Sequence, residues 1–195
     1  MNARLLRLAV PLTALAIGVA LLAATLYLTV FQQSAPPPSL VGGPFRLIAQ
    51  DGRTVTEQDF KGQPSLFFFG YTHCPDVCPT ALFEMSQIFK QLGADAKIKG
   101  AFITVDPERD TPEVLKDYLS NFDPRILALS GDRASIDATI KAFRVYARKV
   151  PGEGPDYTMD HTAIVYLMDK QGRFVNGFNL DQSHEDAAKE LKRYL

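Results

Sequence analysis

Cys74 and Cys78 are the only cysteines among 195 residues, four positions apart in Cys74-Pro-Asp-Val-Cys78. Two sulfurs at that spacing serve either as a redox pair or as two ligands of a soft-metal site. Pro75 and Pro79 frame them. Pro79 has no N–H to donate, so a helix is expected to begin there, with Cys78 as its cap and Cys74 in the loop above. A helix begun earlier would place both sulfurs on one face through their i,i+4 spacing. Either arrangement lets the sulfurs converge on a disulfide or on a shared ion. A purely structural staple is the weakest reading, because a bridge across so short a loop restrains little chain entropy.

The elements around the pair must position it. Ser65 to Gly70 is a continuous apolar run bounded by turn residues, which predicts a strand buried on both faces. The cysteines follow at once, and Leu82, Met85, Ile88, Phe89 and Leu92 repeat at helical spacing over Thr80 to Leu92. Lys99 to Val105 predicts the next strand. Thr111-Pro112-Glu113 opens a helix to about Phe122, with a capping hydroxyl, a first-turn proline and an acid. A short strand is expected at Ile126 to Leu129, then a helix from Ser135 to Lys149 and a mobile Gly/Pro-rich loop from Val150 to Asp160. Hairpins are expected at Phe45 to Thr56 around Asp51-Gly52, and at Ala163 to Gly177. A helix over Glu185 to Leu195 closes the chain. The order is β-hairpin, βαβαβ, ββα: an α/β sandwich with a parallel core and an N-terminal hairpin. Its strand–loop–helix unit carrying cysteines is the thioredoxin-like arrangement, with sulfur near a helix N-terminus. Sites in such folds gather at the carboxyl ends of central strands, where the Cys74 segment and the Asp106 loop both fall.

Several features weigh against a thioredoxin-type catalyst. The cysteines are separated by three residues rather than two. Where a thioredoxin places a proline before its late hairpin, this chain has Asp160-His161-Thr162, and the nearest upstream proline is Pro155. Phe67 and Tyr71 occupy the positions where a peroxiredoxin carries proline and threonine. His161 therefore becomes the candidate third ligand. Two thiolates and an imidazole suit Cu(I) by softness and can also hold Cu(II), whereas structural zinc wants a fourth ligand that is not evident. A lone histidine is more often structural, so its place beside the sulfurs carries the reading. His73 is expected to point away from the sulfurs, and His184 to be solvated in the loop before the last helix.

The ends of the chain bear on where this chemistry happens. Leu8 to Phe31 runs 24 residues without a charge. As a helix it would reach about 36 Å, enough for a hydrocarbon core of roughly 30 Å. Arg4 and Arg7 precede it, so the basic end is expected to stay cytoplasmic and the rest to cross. The run exceeds a usual signal core, and no cysteine follows it to carry a lipid. The expected organisation is a short cytoplasmic N-terminus (1–7), an uncleaved transmembrane anchor (8–31), a Pro-rich tether (32–42) and a thioredoxin-like domain (43–195) in the periplasm. Setting aside Arg4 and Arg7 leaves 19 basic side chains against 22 acidic, which argues against nucleic acid as a partner. An exported domain permits a disulfide.

Three separated motifs then resemble one family. Gly70-Tyr-Thr-His-Cys74-Pro-Asp-Val-Cys78-Pro, Asp106-Pro-Glu-Arg-Asp-Thr-Pro-Glu113 and Tyr157-Thr-Met-Asp-His161-Thr together are similar to the Sco/SenC family of membrane-anchored copper proteins, over about residues 40–195. The resemblance implies a thioredoxin-like fold with copper bound by Cys74, Cys78 and His161. It also implies a role in maturing the dinuclear copper centre of cytochrome c oxidase subunit II, or of a similar copper-receiving protein. Asp106, Arg109 and Asp110 match the family near the site, although helix capping and loop ion pairs account for them equally. Asp160 is the candidate for orienting the His161 ring, and Tyr157 for shielding the metal. The reading is metal transfer by ligand exchange rather than an enzyme. The alternative is a thiol–disulfide oxidoreductase acting on the client's cysteines with the Cys74–Cys78 pair.

Overall fold

The computed structural model describes the backbone of residues 3–32, 40–152 and 156–195, and side chains over 13–28, 40–152 and 156–195. It divides into two units, residues 1–38 and 39–195. Among the described residues the first holds one helix, α1 (Ala3–Gln32), whose described side chains are all exposed. Among the described residues no helix is long and apolar enough to cross a membrane. Most of the expected tether, including Pro36 to Pro38, lies outside the described residues.

The second unit runs β1 (Arg46–Ala49), β2 (Thr54–Thr56), β3 (Ser65–Gly70), α2 (Val77–Leu92), β4 (Lys99–Thr104), α3 (Pro112–Leu119), β5 (Ile126–Ser130), α4 (Arg133–Ala142), β6 (Ala147–Pro151), β7 (Tyr157–His161), β8 (Val165–Met168), β9 (Phe174–Phe178) and α5 (His184–Leu191). Seven strands form one sheet in the order β2-β1-β5-β4-β3-β8-β9. The centre is parallel, with β4 between β3 and β5, and both flanks are antiparallel. Every residue of β3 is buried because the strand is paired on both edges and covered on both faces. Alternation sends Phe67 and Phe69 to one face, against Phe143 at 5.2 Å each. Phe68 and Gly70 face the other way, with Phe102 and, beyond it, Tyr118 of α3. Helix α2 covers that second face and packs on α5.

The helix starts follow their caps. Thr111, Asp132 and Ser183 each accept an N–H from the first turn of the helix they open. Helix α2 begins at Val77, two residues before the expected start, and its cap residue Asp76 accepts no first-turn N–H. Two further expectations are corrected. The helix expected to reach Lys149 ends at Ala142, because Arg144 takes a left-handed conformation (φ 55°) that a helix cannot continue. The Val150–Asp160 stretch is not a loop throughout. Its two ends, β6 and β7, pair antiparallel as a separate two-stranded ribbon in which Ala147 faces His161.

Candidate metal centre

The loop after β3 brings Cys74 to the N-terminus of α2, where the Cys78 N–H donates to Cys74 Sγ at 3.4 Å. Cys74 sulfur thus takes the acceptor place that the Asp76 side chain leaves unfilled at the first turn. Cys78, one residue inside the helix, is fully buried. Burial, and then a hydrogen bond to Cys74, push its thiol far above the ordinary range. Gly70 makes this burial possible. A Cβ there would lie 2.7 Å from Cys78 Sγ and 2.7 Å from Phe102 Cε2.

His161 arrives from the ribbon. Its Nε2 lies 3.5 Å from Cys78 Sγ, and its Nδ1 lies 3.2 Å from the Thr162 carbonyl. That carbonyl can only accept, so Nδ1 carries the proton and Nε2 presents its lone pair to the sulfurs. Burial lowers the ring's pKa, opposed by the Thr162 carbonyl and by the Asp160 charge, so the neutral imidazole is favoured. Tyr71 meets the ring edge-on at 5.8 Å and Phe68 at 6.3 Å. The ligand atoms of Cys74, Cys78 and His161 all lie within 4.8 Å of one another. Two sulfurs and a neutral imidazole in an apolar wall suit a soft ion such as copper. Among the described residues no fourth His, Cys, Asp or Glu joins the group, which disfavours structural zinc.

The remaining site candidates separate by face. Along β7, Tyr157 and His161 lie on the half-buried side, while Thr158 and Asp160 are exposed. Asp160 therefore pairs with Arg148 at 3.4 Å, and the His161 Nδ1 partner is the Thr162 carbonyl instead. Asp106 is buried and accepts from the Tyr157 hydroxyl at 2.8 Å and from Arg109 Nε at 2.5 Å. Asp110 is fully buried and accepts from Thr72 Oγ1 and Thr104 Oγ1, both at 2.6 Å, and from the Thr72 N–H at 3.1 Å. It thereby fixes the cysteine loop two residues before Cys74. His73 is exposed, lies 3.1 Å from Thr72 Oγ1 through Nδ1, and is not part of the ligand group. His184 corrects its expectation: it is the first residue of α5 and meets Glu84 Oε2 at 2.6 Å rather than solvent alone. Sequence reasoning left Gly70 and the Thr162 carbonyl without a role. A glycine ending a fully apolar strand was the available signal for the first, and a backbone carbonyl leaves none.

Comparison with known proteins agrees with this geometry. The SCO1/SenC family model matches residues 33–195. The SCO2-like protein RP587 of Rickettsia prowazekii is 41% identical over 155 residues, 78% of this chain and 76% of that one. The structure of Bradyrhizobium japonicum ScoI with copper bound is 59% identical, covers 80% of this chain and 99% of that one, and superposes with a TM-score of 0.78. BsSco, a member of the Sco family of cytochrome c oxidase assembly proteins in which a disulfide switch has been identified, is 26% identical with a TM-score of 0.63, covering 83% of this chain and 97% of that one. By sequence and by fold, this chain belongs to the SCO1/SenC family.

Proposed function

We propose that this protein binds copper through Cys74, Cys78 and His161 and delivers it to the dinuclear copper centre of cytochrome c oxidase subunit II. The observation that carries the reading is the convergence of two sulfurs and one imidazole nitrogen within 4.8 Å from elements 83 residues apart. Relatives described as copper-bound and as oxidase assembly proteins support it. Copper is the cargo. With both cysteines as thiolates and His161 neutral, the ion holds three ligands as Cu(I), and the same set takes Cu(II). An incoming client thiolate displaces the imidazole first and then each sulfur in turn, so copper passes by ligand exchange without being free. Val77, next to Cys78 in the chain, and Ile164 are each 47% exposed and line one groove, supplying an apolar rim for a protein client. Oxidation of Cys74 and Cys78 to a disulfide, with two protons and two electrons lost to an oxidant, would remove both sulfur ligands.

The uncharged run from Leu8 to Phe31, with Arg4 and Arg7 before it, supports a single-pass anchor in the inner membrane with the domain in the periplasm. A short tether then lets the domain reach a membrane-bound client.

A thiol–disulfide reductase acting on the client's cysteines is the second reading, favoured by one observation. Cys74 sits partly exposed at a helix N-terminus while its partner Cys78 is buried, an attacking and resolving pair. The test separates the two. After anaerobic reconstitution the parent should hold one copper per chain with a thiolate charge-transfer band, and His161→Ala should lose Cu(II) affinity. Equal Cu(II) affinity in His161→Ala would overturn the three-ligand site. Full reduction of a client disulfide by that variant would support the second reading.

A further inference from the structure

We propose that Tyr157 is a positioning residue that holds His161 over the sulfur pair, acting through Asp106 and Arg109; this rests on the metal site proposed above. The ribbon β6–β7 shares no strand pairing with the seven-stranded sheet among the described residues. Its own turn is closed internally, by Thr162 N–H to the Tyr146 carbonyl and Tyr146 N–H to Thr162 Oγ1, both at 2.9 Å, and a bond between Tyr71 and the Met159 backbone ties β7 to the cysteine loop. Something other than the sheet must therefore fix its position relative to the cysteines.

Tyr157 makes the second attachment, at the far end of β7, with three parts of the residue at once. Its hydroxyl donates to Asp106 Oδ1 at 2.8 Å, and its carbonyl accepts from Arg109 Nη1 at 3.1 Å. The Arg109 guanidinium lies 3.6 Å from the centre of its ring and Lys149 Nζ 3.7 Å, with Lys149 also paired to Glu108 at 2.8 Å. Cations against an aromatic face add attraction beyond contact, more so where water is excluded. The Asp106 acceptor is 2% exposed, so its bond to the hydroxyl is not readily exchanged for one to water. Tyr157 and His161 lie on the same side of β7, four residues or about 13 Å apart at the strand rise.

The residues that hold Tyr157 belong to the 106–110 turn, and so does Asp110, which holds Thr72 in the cysteine loop. One short turn therefore references both halves of the ligand set. Asp110 fixes the side that brings the sulfurs, and Asp106 with Arg109 fixes the side that brings the imidazole. Loosening the second attachment alone should free the imidazole while leaving the sulfurs in place, which is the order that ligand exchange needs.

The test uses the full chain in detergent, loaded with copper. Tyr157→Phe keeps the ring against its two cations and removes only the hydroxyl bond to Asp106. Loss of Cu(I) to bathocuproine disulfonate, followed by stopped flow, should speed up about tenfold, the size of one hydrogen bond to a buried charge. The thiolate charge-transfer band of the Cu(II) form should remain, with weakened nitrogen hyperfine coupling from His161. In a His161→Ala background the same substitution should change the release rate by less than about twofold. Parental release by a folded Tyr157→Phe overturns the positioning role, as does equal acceleration in the His161→Ala background. A parent that holds no copper removes the proposed function and this role together, whereas unaltered release from a copper-loaded variant removes this role alone.

Discussion

Gly70→Ala probes the packing that lets a sulfur be buried at this site. Gly70 does not sit at positive φ, so its backbone accepts a side chain without strain and the cost is steric. The new Cβ would lie 2.7 Å from both Cys78 Sγ and Phe102 Cε2, against an ordinary contact of 3.4 Å or more. The sulfur would therefore have to recede by about 0.7 Å, several times the ~0.2 Å tolerance of a metal–ligand bond. It has little room to do so, since Cys78 has no exposed surface. Overpacking of this kind costs about 1–3 kcal/mol, and the stiffer unfolded chain returns about 0.4–1 kcal/mol. A net loss centred on about 1.3 kcal/mol, and at most about 2.6 kcal/mol, follows, alongside a larger loss of copper affinity. Urea unfolding of the copper-free protein and titration of the Cu(II)–thiolate band measure the two effects separately. In a Cys78→Ala background one of the two clashes disappears, so Gly70→Ala should cost about half as much there. A variant with the parent's stability and the parent's band intensity would refute the packing argument.

Asp110 links stability to pH. Burial raises its carboxyl above the ordinary value despite the Thr72 and Thr104 donors, so the folded chain favours the proton. Its contribution is therefore complete below the usual carboxylate range and is lost as pH rises through the raised value. Asp110→Asn should flatten that part of a plot of urea midpoint against pH, and an unchanged slope would count against the assignment. Thr72→Val removes a 2.6 Å bond to a buried carboxyl and should cost about 1–3 kcal/mol in urea unfolding, more at high pH than at low, because losing that donor raises the Asp110 carboxyl further. Phe143→Ala, on the sheet face away from the sulfurs, should cost about 3–5 kcal/mol yet leave the copper spectrum unchanged. A shifted spectrum in that variant would mean that the two faces are coupled.

The parts of the fold that obey hydrophobic periodicity were legible. Strand β3 and the helix opened by Thr111-Pro112 stand where their patterns predict, because burial on both faces and capping are local to the sequence. The ribbon β6–β7 was not legible, since a two-stranded element half in solvent carries no apolar alternation, and Gly152, Gly154 and Pro155 read as loop. The end of α4 was misplaced because Phe143 and Val145 continue the apolar spacing, while the left-handed Arg144 is not a glycine and gives no stop signal. In the site, residue types and motif order placed Cys74, Cys78 and His161 together. The exposure of Asp160 depends on the ribbon's register, and the meeting of His184 with Glu84 on a contact across 100 residues. Neither is written in local pattern.

The separation of 83 residues between Cys78 and His161 makes the site a report on completed folding. A chain made from its N-terminus presents both sulfurs well before β7 is complete. During that interval it offers an ion only a two-coordinate thiolate pair. Recruiting the imidazole in an unfolded chain would require closing a loop whose entropy alone costs about 4 kcal/mol. In the native state the sheet and the 106–110 turn have already met that cost. Three-coordinate retention therefore distinguishes finished molecules from nascent or damaged ones, and cargo loading doubles as a quality check on the protein that carries it.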